Sequence, residues 1–133
     1  MMKKTIACFV VGGVLLAGVT PVFANNHTDR AWGGTLPLLQ ANHYTNAYQK
    51  TDTSSGYIKL NTIGKGGINA YMQLYDGTSV NSPKVNLKAG QSKYVINYAY
   101  ENYGQVNVRM AVESDYLNVV TIEAHGVWSP DSV

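Results

Sequence analysis

Cysteine is almost absent from this 133-residue chain, which carries only Cys8. One cysteine cannot form a disulfide within a molecule, and small secreted domains with weak cores commonly depend on such bridges. This scarcity excludes a disulfide-scaffold toxin. A domain of this size must therefore be held together by its hydrophobic core.

Charged residues are missing from residues 5–20, an apolar run of 16 residues. Lys3 and Lys4 precede this run, and Val22-Phe23-Ala24 follows it with small or aliphatic residues where a signal peptidase reads. The run is shorter than the roughly 20 residues that span a bilayer. The sequence therefore predicts a signal peptide over residues 1–24, no transmembrane anchor after cleavage, and a bacterial protein secreted to the extracellular space.

An excess of one charge sign is also missing once the leader is removed. Loss of Lys3 and Lys4 would leave eight Lys and Arg residues against eight Asp and Glu residues. Nucleic-acid binding and electrostatic docking to anionic membranes both require a basic surface. The neutral domain is therefore expected to bind no nucleic acid.

Histidine is scarce, with three residues at 27, 43 and 125. Three scattered imidazoles do not provide converging zinc ligands. Ser129, His125 and Asp131 lie within one short tail, where the base cannot be held between nucleophile and acid. Of the four acids that a glycosidase could use, three are expected to be solvated charges; the four are Glu101, Glu113, Asp115 and Glu123. We therefore predict no enzyme, no metal and no cofactor.

No window sustains a helical period beyond about eight residues. From residue 44 onward, apolar and polar residues alternate in short runs broken by turn residues, most clearly in residues 68–75. This pattern predicts an all-β, antiparallel β-sandwich of six to seven strands over residues 44–133, with a small β-barrel as the alternative. Residues 25–43 are expected to be an irregular N-terminal segment, with a short strand near residues 36–39 at most. Residues 116–124 are expected to form a central strand, buried on both faces around Val119 and Val120.

Tyrosine is abundant, with ten residues beyond position 24, accompanied by twelve asparagines. Packing between neighbouring strands explains many tyrosines, but an exposed row offers flat apolar faces and hydroxyl groups to a protein or sugar. Tyr71 and Tyr75 are expected to point away from Met72 and Leu74. The candidate binding residues are Tyr71, Tyr75, Tyr98, Tyr100 and Tyr103.

The chain ends in HGVWSPDSV, residues 125–133. Proline cannot donate a hydrogen bond to a strand ladder, so Pro130 is expected to end the last strand. Trp128 is predicted to plug the bottom of the core, and the alternative is a binding tip.

Three stretches carry a resemblance to a known group: DTSSGYIKL, KAGQSKYVINYAYENYGQVNVRM and HGVWSPDSV. They resemble small exported proteins of Gram-positive bacteria grouped under a domain of unknown function. That resemblance covers about residues 44–133 and implies a signal peptide and one β domain, but no catalytic or ligand residues. Some such proteins are similar in plan to lactococcin-type secreted bacteriocins.

The functional expectation is a secreted, non-enzymatic binding protein. It would act at or outside the cell wall on a cell-surface protein or glycan, through a surface rich in Tyr and Asn. The alternative is a bacteriocin-like toxin, or an exported protein that protects against one. An uncovered strand edge would also permit self-association.

Overall fold

The computed structural model describes residues 26–132, so the predicted signal peptide lies outside the described residues. The described part of the chain contains nine strands and one short helix. The strands are β1 (Arg30–Leu36), β2 (His43–Tyr44), β3 (Tyr48–Lys50), β4 (Gly56–Ile63), β5 (Ile68–Leu74), β6 (Val85–Leu87), β7 (Ser92–Val95), β8 (Val106–Ser114) and β9 (Ile122–Ser129). The helix α1 (Ala99–Tyr103) lies between β7 and β8.

The strands form two separate antiparallel sheets, which confirms the predicted all-β sandwich and not the barrel. The first sheet has the order β1-β9-β4-β7. The second has the order β2-β8-β5-β6, and β3 also pairs with β8. The core lies between the sheets because each strand turns its apolar face inward.

Strand β5 shows how alternation fixes which side chains are buried. Ile68, Ala70, Met72 and Leu74 are all buried and belong to one core cluster. Strand β4 behaves in the same way, with Ile58 and Leu60 buried and Asn61 exposed. Because side chains alternate between the faces of a strand, the intervening residues of β5 lie on the outer face.

The N-terminal segment departs from expectation. Residues 25–43 were predicted to be irregular, but β1 runs for seven residues from Arg30 and pairs with β9 along its whole length. The two consecutive glycines at 33 and 34 suggested a loop. A Cβ at Gly33 would lie 2.1 Å from the His125 Nδ1, so this glycine makes room for the imidazole of the neighbouring strand.

The prediction for residues 116–124 is wrong. Residues 117–121 form no strand, and β9 begins only at Ile122. The side chains of Val119 and Val120 are exposed, not buried. Asn118 takes the interior position instead, since its amide nitrogen donates to the carbonyls of Pro37 and Val120 at 2.8 Å each.

The tyrosine-rich run after residue 92 also ends early. Apolar residues alternate from Ser92 to Tyr100 in the sequence, but the strand stops at Val95 and residues 99–103 form helix α1. Asn97 makes this change of direction possible, because its side chain accepts from the Ala99 N–H and donates to the Val95 carbonyl.

Strand β9 closes the core, as the sequence predicted for Trp128. The Trp128 side chain is fully buried and its ring centroid lies 5.8 Å from that of Tyr48 on the other sheet. Pairing stops at Ser129, immediately before Pro130. Within β9, the register with β4 shifts between His125 and Gly126, where a Cβ on Gly126 would lie 1.9 Å from the Lys59 carbonyl oxygen.

Asp131 forms a buried polar hub just beyond β9. Its carboxylate lies 2.6 Å from the Lys50 Nζ, and both side chains are fully buried. It also accepts from the Thr51 hydroxyl at 2.7 Å and from the Asn26 N–H at 2.8 Å. The last strand, the end of β3 and the segment before β1 are therefore tied together at one end of the sandwich.

Candidate functional site

The outer face of the sheet containing β8 carries a compact group of aromatic and polar side chains. Tyr44 of β2 and Tyr71 of β5 each pair with Ala111 of β8, one from either side. Gln73 pairs with Arg109 one step further along the same face. We call this group the tyrosine face; its members are Tyr44, Asn69, Tyr71, Gln73, Arg109, Ala111 and Glu113.

Ala111 is fully buried although it belongs to the outer face of the sheet and not to the core cluster. The small methyl group of Ala111 lies between the larger side chains of Tyr44 and Tyr71, which cover it. Tyr44 nevertheless remains 45% exposed and Tyr71 partly exposed. The arrangement presents two tyrosines, side by side, on a small-residue floor.

Arg109 holds one edge of the tyrosine face in place. Its guanidinium carbon lies 3.9 Å from the centroid of the Tyr44 ring, and its Nε donates to the Gln73 Oε1 at 2.7 Å. A stacked and hydrogen-bonded guanidinium restricts the rotamers of both partners. The ring of Tyr44 is therefore held in one orientation on the surface.

The opposite edge is held by a lysine and a carboxylate. Lys84 Nζ lies 3.0 Å and 3.2 Å from the two carboxylate oxygens of Glu113, and 5.7 Å from the centroid of the Tyr71 ring. The Asn69 amide donates to the same carboxylate at 3.2 Å, and the Asn42 amide lies 3.4 Å from the Tyr71 hydroxyl. Both charges at this edge are therefore paired within the molecule.

Asp115 extends this network toward the end of the sheet. Burial acts to raise the pKa of its carboxyl, but hydrogen bonds from the Lys88 ammonium, the Asn86 amide and the Gly67 N–H outweigh burial and leave the pKa below its ordinary value. Three of the four acids were expected to be solvated, but only Glu101 and Glu123 are exposed. Glu113 and Asp115 are paired with Lys84 and Lys88.

The five predicted binding residues do not form one group. Tyr71 and Tyr75 point away from buried Met72 and Leu74 as predicted, but Tyr75 lies beyond the end of β5, where its N–H donates to the Asn107 carbonyl. Tyr98 precedes helix α1, and Tyr100 and Tyr103 are within it. These last three therefore lie off both sheets.

Sequence reasoning missed Tyr44 and Arg109. Residues 44–50 do not form one strand, because Thr45 separates β2 from β3: its N–H donates to the Met110 carbonyl on β8 and its hydroxyl accepts from the Met110 N–H. The alternation of Arg109 with Met110 did place the arginine on the outer face. Nothing in the sequence showed that Tyr44 would lie beside it.

A cleft of about 500 Å³ lies next to the tyrosine face at the open seam between β1 and β2. Gly33, Gly34, His43, Tyr44 and His125 are among its lining residues. His125 Nε2 lies 3.5 Å from the Glu123 Oε1. The Asp131 carboxylate, by contrast, is engaged by Lys50 and Thr51, so the structure does not assemble Ser129, His125 and Asp131 into a triad.

Residues 26–132 contain no cluster of three or more His, Cys, Asp or Glu side chains that could hold a metal ion. In the same range, no helix has the length and apolar character needed to cross a bilayer. The outer face of the second sheet carries aromatic rings, amides and internally paired charges.

Comparison with known proteins places the chain in a family without assigning it an activity. Neither a curated protein nor a solved structure matches it. The family model described as "Protein of unknown function (DUF2712)" matches residues 20–132, which is most of the chain. The protein therefore belongs to the DUF2712 family.

Proposed function

We propose that this protein is a secreted, non-enzymatic binding module that recognises a glycan of the cell envelope through the tyrosine face. The observation that supports it best is the placement of Tyr44 and Tyr71 on either side of Ala111, with Arg109 stacked on one ring. Aromatic rings present large apolar faces at low entropic cost, and the neighbouring amides provide hydrogen bonds.

The charges on this face favour a neutral ligand. Arg109 is occupied by Tyr44 and Gln73, and Lys84 by Glu113. A charged ligand would have to compete with these partners, whereas a sugar can stack on the parts of the rings that the guanidinium leaves exposed and leave the ion pairs intact. We therefore favour an uncharged polysaccharide segment over an acidic or basic protein.

The test compares wild type with Tyr44→Ala and Tyr71→Ala in co-sedimentation with insoluble cell-wall polysaccharide. Each substitution should weaken retention roughly tenfold, because it removes one stacking surface. The matched control is Tyr94→Ala, because Tyr94 is 66% exposed on the other sheet. Urea unfolding of each variant would show that the fold survives.

The proposal fails if Tyr44→Ala and Tyr71→Ala retain wild-type binding, or if Tyr94→Ala loses as much as they do. Retention on surface proteins but not on isolated polysaccharide would replace the glycan with a protein partner. Growth inhibition of neighbouring strains by the purified protein would favour the alternative, a bacteriocin-like toxin. Restored growth of toxin-treated cells when the purified protein is added would favour a protective role.

A further inference from the structure

Five aliphatic side chains are exposed together at one end of the sandwich. They come from two loops, the one after β1 and the one before β9, and their exposed fractions run from 47% to 78%. We call this group the aliphatic tip; its members are Leu38, Leu39, Leu117, Val119 and Val120. Single exposed apolar residues are ordinary, but a contiguous group of them marks an interaction site.

The two loops are clamped to each other by Asn118, which is fully buried. Its backbone carbonyl accepts from the Leu39 N–H at 2.8 Å, and its side-chain oxygen accepts from the Gln40 N–H at 2.9 Å. Its amide nitrogen donates across to the Pro37 carbonyl at 2.8 Å. The aliphatic tip is therefore a built feature and not a frayed loop.

The backbone of the first loop is held in a costly conformation. Leu39 and Gln40 have φ angles of 60° and 57°, in the left-handed region that non-glycine residues rarely adopt. Such a conformation persists only where surrounding contacts enforce it. Here the bonds to Asn118 enforce it, and the result is that the Leu39 side chain faces solvent.

We propose that the aliphatic tip inserts into the surface of a lipid bilayer. The hydrogen bonding of the first loop and of the Asn118 clamp fits this environment, since unpaired backbone groups are costly in lipid. Seven backbone groups at the tip are already paired within the protein: the N–H groups of 39, 40 and 41 and the carbonyls of 37, 38, 118 and 120. No charged residue occurs in residues 37–42 or 116–121.

A second copy of the chain fits the aliphatic tip less well. A stable interface between proteins uses roughly 20–30 residues on each side. Five side chains on two loops fall far short of that number, whereas a few exposed aliphatic groups suffice to partition a loop into lipid. The insertion needs no basic surface, which agrees with the near-neutral charge of the chain, and it is independent of the tyrosine face.

Tryptophan reporters in the full chain test the proposal. Trp32 and Trp128 are buried, so a tryptophan introduced at the surface supplies the environment-sensitive part of the emission. Val119→Trp and Leu39→Trp place reporters on the two loops of the aliphatic tip. Ile96→Trp is the matched control, because Ile96 is exposed and follows Val95, which pairs with Gly56 at the opposite end of the sandwich.

The variants are mixed with vesicles of phosphatidylcholine carrying brominated acyl chains. We expect the emission of both tip reporters to shift to the blue and to be quenched by about twofold or more, with Ile96→Trp unchanged. Asn26 lies at the control end, bonded to Asp131. Attachment through the N-terminal apolar run would therefore quench the control reporter at least as strongly as the tip reporters.

Equal or stronger quenching at Ile96→Trp would overturn the proposal, as would the absence of quenching at both tip positions. Quenching that requires phosphatidylglycerol and disappears in high salt would also overturn it, because the tip carries no charge. Sedimentation of the lipid-free protein measures its oligomeric state. A dimer that is present in wild type and lost on Val119→Ser would assign the tip to a second copy instead.

Discussion

At the scale of single residues, Asp131 has a structural role that the sequence did not predict. Near the end of a chain, a Ser-Pro-Asp turn is ordinarily solvated. Here its carboxylate is buried against the Lys50 ammonium and accepts from Thr51 and Asn26 as well. A buried charge left without its partner is far costlier than an exposed one.

Asp131→Asn is therefore expected to lower the free energy of unfolding by about 3 kcal/mol, because it removes the buried carboxylate 2.6 Å from the Lys50 ammonium and leaves the partly exposed Asp52, at 3.9 Å, as the remaining counter-charge. Urea denaturation measures this loss, with Asp29→Asn at an exposed position as the control. Adding Lys50→Met to Asp131→Asn should recover part of the stability. A loss no larger than that of Asp29→Asn would show that the pair is not structurally important.

At the scale of elements, β8 organises the second sheet and its polar outer face. Asp115 follows the end of β8 and joins it to the loop before β5, through the Gly67 N–H, and to β6, through Asn86. Lys88 completes the contact from beyond β6. The hydrogen bonds that lower the pKa of Asp115 are therefore the same bonds that connect these three elements.

The sign of the pH effect follows from the lowered pKa of Asp115. The folded state binds this proton less readily than the unfolded state, so the contribution to stability is present above about pH 4 and is lost as the pH falls further. Thermal unfolding between pH 6 and pH 2 would show it. Asp115→Asn and Lys88→Met should each reduce the acid-induced decrease in melting temperature. An unchanged decrease in both variants would contradict the assignment.

At the scale of the whole molecule, the first and last strands pair with each other. Strand β1 lies beside β9 in seven consecutive pairs, and Asn26 reaches Asp131 at the same end. Such pairing joins residues separated by most of the chain. The segment before residue 44 is therefore part of the sandwich and not an appendage to it.

Native-state hydrogen exchange distinguishes an integrated β1 from a loosely attached segment. The ladder-bonded amides of β1 should open with a free energy within about 1 kcal/mol of those in β4, because both strands pair with β9. Amides in the exposed loop at residues 46–47, between β2 and β3, serve as the fast-exchanging reference. Exchange of β1 at the rate of that loop would mean that it detaches from a fold that otherwise remains intact.

Sequence patterns predicted the structure correctly where the burial of a residue depends on its neighbours along the chain. Alternation in β4, β5 and β8 identified their buried faces, because one side of each strand meets the core. The prediction for Val119 and Val120 was wrong because a short apolar run in a loop has the same composition as a buried strand. The prediction of an irregular segment around Gly33 and Gly34 was also wrong. These glycines lie in β1, where they make room for side chains from other strands and form no turn.

For the candidate site, the sequence indicated that Tyr71 and Tyr75 face outward, but not which residues would join them. Tyr44 and Tyr71 lie on either side of Ala111 because β2 and β5 both pair with β8. Each of these pairings joins residues that are far apart in sequence. Tyr98, Tyr100 and Tyr103 were grouped because they are neighbours in sequence, yet they lie off the sheets.

The sequence alone determined the all-β class and the end of the last strand before Pro130, and it favoured the sandwich over the barrel and a buried Trp128 over a binding tip. Each of these depends on residue periodicity or on the covalent chemistry of one residue, which any window of the chain displays. Only the tertiary structure decided the pairing of β1 with β9, the burial of Asp131 with Lys50, the tyrosine face and the aliphatic tip. Each of those features depends on contacts between segments that are distant in sequence. The free energy of such a contact depends on both segments, so neither segment predicts it alone.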